Sequence, residues 1–105
     1  MSNRAKFNLT NIFGESVRVK ILEIMLENSL QKEIKWLNIS EIARFCEIST
    51  SSSKRVVDEL IKQSLVDLKP IETHAKNPEK AIRLNLDNKV IQELIFFFRK
   101  LKGFV

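Results

Sequence analysis

The sequence predicts a small, mainly helical α+β domain with one β-hairpin. Three observations carry that expectation. Apolar residues recur at helical spacing in four stretches, about 16–28, 38–46, 50–63 and 88–102. Two short runs, 65–71 and 81–86, instead alternate apolar and polar, with Asn77-Pro78 between them as a turn signal. Two glycines and two prolines in 105 residues are too few for the many turns of an all-β sandwich.

With 44% hydrophobic and 30% charged residues, the chain can build one modest core and is not disordered throughout. Eighteen Lys and Arg against 13 Asp and Glu leave a net charge of +5, which favours a polyanionic partner. One cysteine, Cys46, and one histidine, His74, exclude an internal disulfide and a Cys-rich zinc site, so no metal or cofactor is expected. No apolar run approaches the ~18 residues of a membrane span, and the N-terminus lacks the apolar region of a signal peptide. The expected location is the reducing cytoplasm, without membrane contact.

Residues 1–12 are polar, carry Arg4 and Lys6, and read as a tail or arm. The polar positions Ser16, Lys20, Glu23 and Glu27 fall at helical spacing among apolar residues, the pattern of a central helix buried over most of its circumference. Lys35–Leu37 is a short β-prone segment. Asn38 with Glu41 three residues later is a capping-box start for a two-turn helix ending near Cys46. Ser49 caps a third helix, in which Val57, Leu60 and Ile61 face the core. Then come the hairpin and a last helix from Asp87 or Asn88 to about Lys102. Helix, short strand, helix, helix, hairpin, helix is the order of a winged helix-turn-helix. The expected organisation is arm 1–12, winged helix-turn-helix domain 13–86, and C-terminal dimerisation helix 87–105.

The stretch NISEIARFCEISTSSSKRVVDELIKQSLV, from Asn38 to Val66, resembles the helix-turn-helix and first hairpin strand of winged-helix transcriptional regulators. IFGESVRVKILEIMLEN, from Ile12 to Asn28, resembles their first helix. The resemblance covers about residues 12–86 and is to the broad ArsR/MarR-like grouping, especially small archaeal and archaeal-virus or plasmid members. Glu47 and Ser64 stand where that group usually has glycine, and Ser53 where it often has an apolar residue.

The resemblance implies sequence-specific binding of double-stranded DNA by a homodimeric transcriptional regulator. A recognition helix at about 50–63 would enter the major groove, and a wing at about 72–83 would touch the flanking backbone or minor groove. Ser49, Thr50, Ser51 and Ser52 are small hydroxyl residues suited to close approach, and Lys54 and Arg55 to phosphate or guanine. The alternative is that the serines only cap the helix. Asp58 and Glu59, one turn on, limit how far a groove contact extends. His74, Lys76, Lys80 and Arg83 make the wing basic, though Glu72 and Glu79 dilute it. Arg4, Lys6, Arg18 and Lys20 are further candidates for backbone contacts.

On the last helix, Val90, Leu94, Phe97, Leu101 and Phe104 form one apolar stripe, and Ile91, Ile95 and Phe98 a second, with Phe96 beside it. One stripe can cover the core and leave the other for a second copy, and the expected dimer interface is drawn from Val90, Ile91, Leu94, Ile95, Phe97, Phe98 and Leu101; the alternative is that both complete the domain's own core. No glycine-rich phosphate loop, metal-ligand pair or activated nucleophile is present, so no catalysis is expected. Neither is a small-molecule effector. Rival readings are a winged-helix protein-interaction module and a plasmid or viral replication or partition protein.

Overall fold

In the computed structural model, which describes residues 8–70 and 80–103, the chain is α+β. Its elements are α1 (Leu9–Phe13), α2 (Val17–Ser29), β1 (Leu37–Asn38), α3 (Ile39–Cys46), α4 (Thr50–Lys62), β2 (Val66–Pro70), β3 (Lys80–Leu84) and α5 (Lys89–Leu101). The strands form one antiparallel sheet in the order β1-β3-β2.

α2 is central, as its sparse polar positions require: it packs against α1, α3, α4, α5 and β3. Ile21, Met25 and Leu26 on it are wholly buried. The Ser16 hydroxyl starts it by accepting the Val19 N–H at 3.1 Å. The capping box opening α3 is formed in both directions, Asn38 Oδ1 accepting from Glu41 N–H (2.7 Å) and Glu41 Oε1 from Asn38 N–H (3.0 Å).

Both helices of the α3–α4 pair end in a left-handed residue that is not glycine, Glu47 at φ 57° and Ser64 at φ 60°. Each end is closed by a six-to-one hydrogen bond at 3.0 Å, Ile48 N–H to the Ala43 carbonyl and Leu65 N–H to the Leu60 carbonyl. The turn geometry is thus kept at the cost of backbone strain. Ser53, which replaces an expected apolar residue, is fully buried and donates its hydroxyl to the Ile39 carbonyl at 3.3 Å, tying α4 to the first turn of α3.

The sheet is two-sided. Leu37, Val66, Ile82 and Leu84 are buried on the helices, with Leu37 opposite Ile82 and Val66 opposite Leu84. The alternate positions, Lys69, Ala81 and Arg83, lie on the outer face.

Three expectations need correction. Residues 9–12, read as part of a tail, belong to α1, and Leu9 is buried against the core. The second hairpin strand stops at Leu84 rather than Leu86, because the Asn85 side chain accepts the Asp87 N–H (3.1 Å) in a turn and donates to the Ser64 carbonyl (3.0 Å). Finally, α5 is no appendage. Ile91 and Phe98 are fully buried in the chain's own core, so neither is accessible to a second copy, and Leu94, Ile95 and Leu101 pack against the same core. Lys102 fixes its far end: Nζ donates to Asn8 Oδ1 at 2.6 Å, lies 3.5 Å from Glu27 and sits over the Phe98 ring. Among the described residues no helix is long and apolar enough to cross a membrane.

Candidate nucleic-acid interface

The candidate surface begins at the start of α4. Ser49 Oγ accepts the Ser52 N–H at 3.1 Å and donates to Ser52 Oγ at 2.9 Å. One of the expected contact residues, Ser49, therefore also caps the helix, and a second, Ser52, is bonded to that cap. Thr50 and Ser51 are exposed beside them, and the first-turn amides carry the positive end of the helix dipole. Lys54 and Arg55 follow, both exposed. Lys54 Nζ rests on Asp58 Oδ2 at 3.0 Å, an exposed i,i+4 pair worth a few tenths of a kcal/mol at most (~0.3–0.5), which a phosphate can displace. Glu59, the other acid expected to oppose phosphate, is neutralised by Arg18, which also donates to Gln63 at 3.3 Å. That pairing turns Arg18 away from a role as a free backbone cation.

The hairpin brings one further cation, Lys80, to α4. Lys54, Val57, Asp58 and Ile61 of α4 line one hollow of about 250 Å³ with Leu68 of β2 and Lys80 of β3. Lys54 and Lys80 thus stand on the rim of a single depression, with the exposed Leu68 in its wall. Of the other expected wing residues, His74 and Lys76 lie outside the described residues. Arg83 does not point along the hairpin. Its guanidinium carbon is 4.5 Å from the centroid of the Trp36 ring, and Lys69 Nζ is 5.4 Å from the same ring.

Lys69 and Trp36 are the residues that sequence reasoning missed. Period-two alternation alone places Lys69 and Arg83 on one face of the hairpin, but Trp36 joins them only through the long-range pairing of β1 with β3.

Cys46 is buried, and that burial pushes its thiol above the ordinary value, with nearby Lys20 opposing the shift. A protonated, enclosed thiol is a packing group rather than a nucleophile. Among the described residues no group of three or more His, Cys, Asp and Glu is placed to hold a metal. No family model matches the chain, and no curated protein is similar to it.

Proposed function

We propose that the chain is a winged helix that binds double-stranded DNA as a homodimer and regulates transcription, with α4 as recognition helix and the β2–β3 hairpin as wing. The observation that carries this reading is the shared hollow. A cation at the start of α4 and a cation on the hairpin converge on one depression, beside exposed serine hydroxyls and helix-end amides. A duplex laid across it meets Arg55 and the hydroxyls of Thr50 and Ser51 in its major groove, while Lys54 and Lys80 neutralise backbone phosphate. Affinity then comes largely from counterion release, with modest base readout, in keeping with the +5 charge. Nothing in this reading requires catalysis.

The outward face of α5 supplies the dimer contact in this reading. Val90 and Phe97, two of the expected interface residues, are exposed there, together with Phe96. The same exposed aromatic face also favours the second reading, a module that docks a different protein.

Fluorescence anisotropy with labelled duplex at several salt concentrations tests the proposal. Steeply salt-dependent binding that Lys54→Ala/Arg55→Ala cripples is the expected result. A folded wild-type protein without duplex affinity at low salt refutes it and moves attention to Phe96 and Phe97.

A further inference from the structure

We infer that Trp36 is a positioning residue for duplex binding: its ring holds the Lys69 and Arg83 cations together on the outer face of the sheet and ties the hairpin to the strand that leads into α3. The inference rests on the DNA-binding reading of α4 and the hairpin.

Trp36 stands immediately before β1, and the pairing of Leu37 with Ile82 in antiparallel register sets it beside Arg83. Two residues further on, Asn38 caps α3. Three consecutive positions therefore connect the hairpin to the start of the helix pair. Lys69 and Arg83 are like charges on neighbouring strands, and left alone they repel. The negative face of the indole attracts both. Asp67 is the register partner of Arg83, yet among the described residues the two form no ion pair, and Arg83 Nε is buried without an acceptor. Of the described residues, then, it is the ring that holds this guanidinium. A guanidinium held by its face, with Nε turned inward, keeps its terminal N–H groups for a phosphate oxygen, which a hydrogen-bonded pair with a carboxylate would consume.

With one Trp and no Tyr, the emission excited at the red edge, where phenylalanine does not absorb, belongs to Trp36 alone. The test compares wild type, Trp36→Ala, Trp36→Phe and Lys54→Ala/Arg55→Ala for binding of the same labelled duplex across a salt series. Far-ultraviolet circular dichroism checks that each is folded. Loss of the ring should weaken binding about five- to tenfold and lower the salt slope by about one to two, as one or two phosphate contacts are lost. Trp36→Phe, which keeps an aromatic face, should recover most of both. In wild type, saturating duplex should shift the Trp36 emission and shield it from iodide; this readout stands even if Trp36→Ala fails to fold.

Wild-type affinity and slope in folded Trp36→Ala, with Lys54→Ala/Arg55→Ala still crippled, overturns the positioning role and leaves the DNA reading intact. So does an emission that saturating duplex leaves unchanged. Absence of binding by wild type overturns both.

Discussion

Glu47 and Ser64 offer a direct measurement of backbone strain. Each holds a left-handed conformation, φ 57° and φ 60°, at the end of a helix of the α3–α4 pair. An L-residue there costs about 1–2 kcal/mol, because its Cβ crowds the following carbonyl. Glycine removes that cost but brings back about 0.5–1 kcal/mol of unfolded-chain entropy. Glu47→Gly and Ser64→Gly should therefore each stabilise the fold by about 0.5–1 kcal/mol. The two sites terminate different helices and share no hydrogen-bond partner, so the gains should add. For a domain of this size the pair should raise the melting temperature by roughly 5–10 °C.

Thermal unfolding followed by circular dichroism, backed by urea titration, reads this directly. Glu47 also places a negative charge at the carbonyl end of α3, where its removal alone helps slightly. Glu47→Ala and Ser64→Ala separate the two effects, since alanine deletes the side chain and keeps the Cβ. Glycine variants that melt no higher than wild type, or alanine variants that match them, would refute the strain argument.

Asn88 caps α5 by accepting the Val90 and Ile91 amides (2.8 and 3.3 Å) and donates to the Ser64 carbonyl, so Asn88→Ala should cost about 1–2 kcal/mol in urea unfolding. Leu9→Ala should lose about 2–4 kcal/mol despite lying in a five-residue helix, because that side chain is 2% exposed; a loss below about 1 kcal/mol would mean that α1 is not docked in solution. The raised Cys46 thiol should be alkylated slowly in the native protein and fast in denaturant at pH 8. It contributes stability below the thiol's unfolded pKa that disappears as pH rises through the higher folded value, so urea midpoints should fall more in wild type than in Cys46→Ala at alkaline pH. Arg18→Ala removes an exposed pair with Glu59 and should change stability by less than about 1 kcal/mol.

Features set by short-range chemistry were legible from the residues alone. The Asn38–Glu41 box and the Ser49 cap need only three-residue spacing, and both form. Glu47 and Ser64 stood out only through the resemblance, because the winged-helix group usually has glycine at both positions; the left-handed backbone found there is what a helix that stops and reverses needs, whatever the side chain. The α1 helix left no such trace: five residues with one buried leucine have no periodicity to detect. On α5 the two apolar stripes adjoin, and helical spacing does not say which one meets the core. Tertiary packing decided, drawing Ile91 and Phe98 inward and leaving Val90, Phe96 and Phe97 outside. The Trp36 cluster depends on strand register between segments far apart in the chain, and composition carries no signal of that.

The contact between Lys102 and Asn8 has a kinetic consequence. It spans 94 positions, so the loop it closes takes in almost the whole described chain. The helix pair and hairpin are stitched by near neighbours and can assemble before it, whereas this clasp gains nothing until both ends have been brought together. Docking of α5 beside α1 is then a late event in folding and an early one in unfolding. Amide exchange should reach the last turn of α5 well before α2, and Lys102→Ala should quicken unfolding while leaving the refolding rate nearly untouched.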